Sequence, residues 1–166
     1  SLKTKNFKKW DYNNTAIQIL VTLFELIAKE NIEKYLKRKI FRPLRIRYKW
    51  IKDIYNNNFG PFGFQTNVNG LHKIGQLILN RGYWKNIKVL DSRYIDLLFF
   101  QFINYKDLGR YGINKENYGL MWYNIENKLF LASGYLGNKL IIKPEKNIIC
   151  IRLIYQDWES KLFRDQ

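Results

Sequence analysis

Apolar residues recur at helical spacing through roughly the first two thirds of the chain and at strand spacing toward its end. The helical pattern predicts four helices, and three of them have a residue type that caps helices at their start. We expect Asn14 or Thr15 to cap the first, Asn31 the second and Ser92 the fourth, and Pro43 to end the second. The predicted helices cover residues 14–29, 31–40, 69–79 and 92–102.

The pattern changes from Tyr118 onward, where short apolar runs are separated by turn residues. These runs predict three to four antiparallel strands, followed by a short basic and aromatic helix over 157–164. Helices first and strands afterwards indicate an α+β fold. Earlier in the chain, residues 45–52 alternate basic and large apolar side chains, which predicts an extended segment with one wet face. The predicted strands cover residues 119–123, 128–133, 139–142 and 147–154.

The chain is strongly basic, with 29 Lys and Arg residues against 14 Asp and Glu and a net charge of +15. Such a surplus favours association with acidic partners such as nucleic acid or an anionic surface. The abundance of Lys, Asn, Ile, Tyr and Phe is also what the codons of an AT-rich genome produce. The charge is therefore either a selected basic surface or a bias of composition.

Several chemistries do not fit the residue inventory. One histidine and one cysteine cannot supply a zinc site, and we expect no metal and no cofactor. His72 falls within the third predicted helix, where a surface or capping role fits better than a catalytic triad. Cys150 lies in an apolar run and is expected to be a buried, inert thiol. No membrane span and no signal peptide are visible, so the compartment stays open.

A series of motifs carries a resemblance to a known family. Tyr12-Asn13-Asn14 opens a helix, and Ile40-Phe41-Arg42-Pro43-Leu44 follows it. Three more motifs come in the same order as in the family: 63–66 with 71–84, Tyr118 to Trp122, and 132–138 with Pro144-Glu145. The ordered set, from residue 11 to about 154, resembles the serine β-lactamase and penicillin-binding protein superfamily. The branch nearest to it includes the 6-aminohexanoate-oligomer hydrolases and related esterases.

The resemblance implies a set of active-site roles. Tyr12 would relay a proton to the leaving group, and Asn14 would orient the substrate through its amide. Ser133, Gly134 and Tyr135 would line the acyl pocket, where backbone N–H groups can help to form an oxyanion hole. Ala132 stands where β-lactamases proper carry a cation, which puts recognition of a substrate carboxylate in doubt.

The family's Ser-x-x-Lys nucleophile pair is missing from the sequence. None of the four serines, at positions 1, 92, 133 and 160, has a lysine three residues later. We therefore expect a truncated or processed piece, residues 1–166 of a single incomplete domain, mainly helical over 1–110 and stranded over 111–166 with the terminal helix. Such a piece should expose a sheet edge and an apolar helical face, and should need another chain or an N-terminal segment to complete it.

Two functional hypotheses follow. In the first, the chain is the C-terminal portion of a serine hydrolase that acts on esters or amides and is inactive alone. In the second, it is a non-catalytic scaffold subunit of a basic, RNA-containing assembly such as an organellar ribosome. The second rests on Arg45, Arg47 and Lys49, interleaved with Tyr48 and Trp50, a mixture suited to phosphate contact and base stacking. The same stretch is also what a solvated loop rim looks like.

Overall fold

The computed structural model describes residues 13–99, 103–108, 114–125 and 128–154 of the chain, with backbone alone for 103–108 and 114–117. The predicted terminal helix over 157–164 lies outside this part. The elements follow the predicted order of helices and then an antiparallel sheet, which confirms the α+β class. None of the described helices has the length and apolar character needed to cross a lipid bilayer.

The helices lie close to where the sequence pattern places them. Two of their caps are shifted by one residue, because Asn13 caps the first helix and Asp91 the fourth. Asn31 caps the second helix, as predicted. That helix widens into a π turn, in which Arg42 N–H donates to the Lys37 carbonyl five residues earlier at 2.8 Å. The helices are α1 (Asn14–Ala28), α2 (Ile32–Leu36), the π turn (Lys37–Phe41), α3 (Val68–Leu79) and α4 (Ser92–Leu98).

Within the described residues, three antiparallel sheets join these helices. Two are small pairs, and the third is a six-stranded meander in which each strand pairs with its neighbours in sequence, β10-β9-β8-β7-β6-β5. The pairs are β1 (Tyr48–Trp50) with β2 (Phe64–Thr66) and β3 (Tyr83–Trp84) with β4 (Ile87–Lys88). The meander consists of β5 (Ile103–Leu108), β6 (Asn114–Gly119), β7 (Trp122–Ile125), β8 (Leu129–Ser133), β9 (Lys139–Lys143) and β10 (Ile148–Arg152).

Two apolar clusters hold the layers together. The first lies between α3, α4 and the sheet, where Ile95 and Ile142 are completely buried and Phe99 stacks on Phe130 at 4.0 Å between ring centroids. The second surrounds the fully buried Leu44 and joins the π turn and β1 to Leu77 of α3. Because α3 contributes to both clusters, it connects the helical part to the sheet.

The sheet has more strands than the three to four predicted, and one predicted strand is interrupted by a turn. β5 was missed because its sequence, INYKDL, mixes apolar and polar residues without a clear period of two. The predicted strand 119–123 is divided by a turn at Leu120 and Met121, whose φ values of 45° and 69° are positive, so that Gly119 ends β6 and Trp122 begins β7. Such turns normally select Asn and Gly, so Leu-Met gave no turn signal.

Cys150 is exposed, which corrects the expectation of a buried thiol. It lies on β10, where burial alternates so that Ile149 and Ile151 pack inward while Cys150 and Arg152 face out. An apolar run in a strand with one covered face therefore places every second residue in solvent.

Candidate functional site

A cleft of about 560 Å³ opens where the polar side of α1 faces the loop over 53–62. Gln18 anchors the two walls, because its amide donates to the Asn58 carbonyl at 3.2 Å and accepts from Gly60 N–H at 2.8 Å. A Cβ atom at position 60 would lie 2.6 Å from Val21 Cγ2, so glycine allows the loop to approach the helix closely. The described lining residues are Asn14, Thr15, Gln18, Thr22, Glu25, Asp53, Asn57, Asn58, Phe59, Pro61 and Phe62.

A buried amide lies at the base of this cleft. The Asn58 side chain, on a residue that is only 1% exposed, donates to Glu33 Oε2 and accepts from Asn31 Nδ2, each at 3.3 Å. Asn31 donates in turn to Glu25 of α1 at 2.8 Å. The network thus ties α1, α2 and the loop into one unit, and it satisfies polar groups that would be costly to bury without partners.

Glu33 is the charged centre of the network. Burial acts to raise its pKa, but hydrogen bonds from Lys52 and Asn58 and the charge of Lys52, with Nζ at 2.9 Å, hold that pKa below its usual value. Tyr48 donates its hydroxyl to Glu33 Oε1 at 3.3 Å. Burial, and then the neighbouring carboxylate, raise the pKa of Tyr48 to about 12. At neutral pH the pair is therefore an ionised carboxylate and a neutral phenol.

We expect Asn58→Ala to lower the free energy of unfolding by about 2 kcal/mol, because it removes a buried amide and leaves partly buried polar groups of Asn31 and Glu33 short of a partner. Urea denaturation followed by circular dichroism measures this loss. Asn57→Ala is the matched control, since Asn57 is exposed and bonds only locally to Asp53. The control should change stability by less than about 0.5 kcal/mol. Equal losses in the two variants would contradict a structural role for the network.

The structure describes one of the two predicted catalytic residues. Tyr12 lies outside the described residues. Asn14 is the first residue of α1, exposed at the rim of the cleft. The capping role that we assigned to Asn14 belongs to Asn13, whose Oδ1 accepts from Thr15 N–H at 2.9 Å and Ala16 N–H at 3.3 Å. The Asn14 amide is therefore not needed to begin the helix.

The predicted substrate-binding residues lie at the end of β8, and none of them is among the described residues that line the cleft. Ser133 is the last residue of β8 and pairs with Lys139 of β9. Gly134 N–H donates to the Asn138 carbonyl at 2.8 Å, so it is already engaged. Tyr135 begins a 3₁₀ turn and is 80% exposed. The first N–H of such a turn has no partner within the turn, which leaves the Tyr135 N–H as the remaining candidate oxyanion donor.

The residues proposed for nucleic-acid contact divide between surface and interior. Arg45, Arg47 and Lys49 are exposed. Trp50 is turned inward, where its indole N–H donates to the Phe59 carbonyl at 2.8 Å and its ring packs edge-on against Phe64. Tyr48 also stacks on Phe64. The alternation predicted for this segment is present, and it directs the aromatic side chains into the fold.

Helix α1 is amphipathic in the opposite sense to that of most surface helices. Its polar stripe faces the rest of the described chain across the cleft, whereas its apolar stripe faces outward. None of its residues is buried, and Leu26 and Ile27 are 69% and 82% exposed. The outward apolar residues are Ile19, Leu20, Leu23, Leu26 and Ile27.

Reasoning from sequence missed the residues that build the cleft. Gln18 and Asn58 are 40 positions apart, and neither belongs to a motif that indicates a site. The one available signal was the polar face of a helix whose other face is strongly apolar, but that pattern gives no information about which face the fold covers. Nothing in the sequence indicated the role of Glu33 either, because an acidic residue in the first turn of a helix is common.

The helices and the six-stranded meander form an α+β architecture, and two solved structures show that its fold is β-lactamase-like. A Bacillus anthracis protein provisionally described as a 6-aminohexanoate-dimer hydrolase matches 96% of this chain at a TM-score of 0.75 and 17% identity. A Bacteroides dorei protein provisionally described as a β-lactamase matches 87% at a TM-score of 0.65 and 15% identity. No family model and no curated protein matches the sequence.

The likeness is one of fold, and it covers only part of each neighbour. The chain spans 42% of the Bacillus anthracis protein and 50% of the Bacteroides dorei protein. The β-lactamase-like fold of these neighbours agrees with the resemblance that the sequence motifs indicated.

Proposed function

We propose that the chain is the C-terminal portion of a β-lactamase-like serine hydrolase, which cleaves esters or amides through an acyl-serine intermediate. The observation that carries the proposal is the shared fold with proteins described as a hydrolase and a β-lactamase, over 96% and 87% of this chain. The 166 residues contain no Ser-x-x-Lys, so the nucleophile has to come from another polypeptide segment.

In the proposed reaction, Tyr12, Asn14 and Tyr135 of this chain act together with a serine and a lysine from the other segment. The external lysine lowers the cost of deprotonating the external serine, which attacks the substrate carbonyl. Tyr12 relays the proton to the leaving group, and Asn14 at the cleft rim orients the substrate amide or ester. The Tyr135 N–H, beside Ser133 and Gly134, stabilises the oxyanion. Water then releases the acyl group and restores the serine.

The exposed apolar stripe of α1 supports the proposed completion of the fold. Soluble proteins rarely leave a large contiguous apolar patch uncovered, and such patches mark interfaces. The segment that carries the Ser-x-x-Lys is the occupant that fits this stripe, since half or more of each neighbour's chain lies beyond the part matched here. Under this proposal the same segment supplies the nucleophile and covers the helix.

A fluorophosphonate probe, which labels activated serines, tests the proposal. The 166-residue chain alone should stay unlabelled and should hydrolyse p-nitrophenyl acetate no faster than buffer does. The native protein purified through a tag on this chain should be labelled, with the modified residue in a Ser-x-x-Lys sequence identified by mass spectrometry. Labelling of a serine in this chain, or a native protein without any reactive serine, would overturn the proposal.

A further inference from the structure

A dense run of cations covers one edge of the helical part. Seven of the 13 residues from 37 to 49 are Lys or Arg, none is acidic, and all seven are exposed. We call residues 37–49 the basic strip. The π turn, the turn after it and β1 present these side chains on connected backbone, because Ile46 N–H donates back to the Phe41 carbonyl at 2.8 Å. The seven cations are Lys37, Arg38, Lys39, Arg42, Arg45, Arg47 and Lys49.

Most of this charge is not neutralised within the described part of the chain. Arg38 pairs with Glu30 at 2.7 Å. Five other cations of the strip have no carboxylate partner among the described residues, namely Lys37, Lys39, Arg42, Arg45 and Lys49. Lys73 of α3 adds a further positive group, because its Nζ donates to the Arg45 carbonyl at 2.9 Å. A local excess of cations without anions favours a polyanionic partner.

The side chains between the cations decide which polyanion fits. Phe41, Leu44 and Ile46 are buried, so the strip has few apolar groups with which to enter a lipid bilayer. Tyr48 and Trp50 are packed against Phe64, so the strip lacks the exposed aromatic rings on which unpaired bases stack. What the surface does offer is exposed Arg and Lys, the groups that contact phosphates in a sequence-independent way.

We propose that the basic strip binds the phosphodiester backbone of a nucleic acid duplex and does not read its bases. This interaction is independent of the hydrolase reaction, since it uses none of the residues at the cleft. The proposal keeps the phosphate contact of the RNA-scaffold hypothesis. It drops base stacking by Trp50, because the Trp50 ring is turned into the fold. Binding should be strong in low salt and weaken steeply as salt rises, because phosphate contacts release counterions.

Fluorescence anisotropy with a labelled RNA duplex and a DNA duplex of the same sequence, across a series of KCl concentrations, tests the proposal on the full chain. A triple variant, Arg45→Gln with Arg47→Gln and Lys49→Gln, should lose three phosphate contacts. The negative slope of log K against log salt should become shallower by about 2.7, at about 0.9 per contact. A second triple variant, Lys37→Gln with Lys39→Gln and Arg42→Gln, should do the same, and it guards against misfolding of the first.

The matched control removes the same charge elsewhere. Lys85→Gln, Lys146→Gln and Arg152→Gln together also lose three exposed cations, and the slope should stay within about one unit of the unmodified chain. An equal fall in the control would show that net charge alone drives binding and would overturn the assignment to the strip. Two further results would overturn it: tighter binding to a single strand than to either duplex, or equal binding to phosphatidylserine vesicles.

Discussion

Replacement of Tyr12 by phenylalanine is expected to lower kcat/KM of the assembled hydrolase roughly 100-fold or more. The substitution keeps the ring and removes only the hydroxyl that would pass a proton to the leaving group. The loss should be smaller for an ester whose leaving group needs no proton, such as p-nitrophenolate, than for an amide. Steady-state rates on a matched ester and amide pair measure both effects.

Tyr94→Phe is the control for this experiment. Tyr94 lies on α4, is partly exposed and is not among the described residues that line the cleft. It should leave both rates unchanged. An unchanged rate in Tyr12→Phe would remove the proposed proton relay while leaving the fold assignment intact, since that rests on backbone likeness.

Gly82→Ala should lower the free energy of unfolding by about 3 kcal/mol or more. Gly82 has φ of +91°, a conformation that L side chains rarely adopt, and its added Cβ would collide with the backbone carbonyl of Leu90, whose carbon lies 2.9 Å away. The Gly82 carbonyl also accepts hydrogen bonds from the N–H groups of Val89 and Leu90. The chain therefore cannot move away without breaking the turn around β3 and β4. Urea denaturation gives the size of the loss.

Gly134→Ala provides the comparison for this stability effect. Gly134 has a negative φ of −109°, and its added Cβ would meet nothing closer than Asn138 Cβ at 3.5 Å. This variant should change stability by less than about 1 kcal/mol. A similar loss at both positions would mean that the close approach of Leu90 to Gly82 is not what requires glycine there.

The elements that local chemistry specifies were predictable from sequence. Asn31 and the apolar spacing of α1 and α3 located three helices to within a residue or two, because caps and periodicity act over a single turn. The order of helices and strands then gave the α+β class, since it depends on segment type and not on exact bounds. The cap errors at Asn13 and Asp91 arose where two adjacent residues are equally able to cap.

Features that depend on distant partners were not predictable. β5 exists because β6 pairs with it, and Leu120 and Met121 accept positive φ because the hairpin demands it. The direction in which α1 faces is set by Gln18 and Asn58, which meet only in the folded chain. Asn14, predicted from its motif, lies at the rim of the cleft, and its substrate-orienting role stays a prediction. The cleft itself and the inward turn of Trp50 needed the structure.

The outward apolar stripe of α1 has a consequence for how this chain exists in a cell. Helix α1 has no buried residue and is held to the described part of the chain largely by polar contacts of Gln18 and Glu25, so the proposed partner segment would supply the burial of its apolar stripe. If that segment belongs to a separate chain, the stability of α1 should rise with the concentration of that chain, as for any folded state that binds a ligand. Chain made in excess of that partner would leave the apolar stripe of α1 exposed to proteases and chaperones. Under the same proposal, the abundance of this chain should follow that of a separate partner chain.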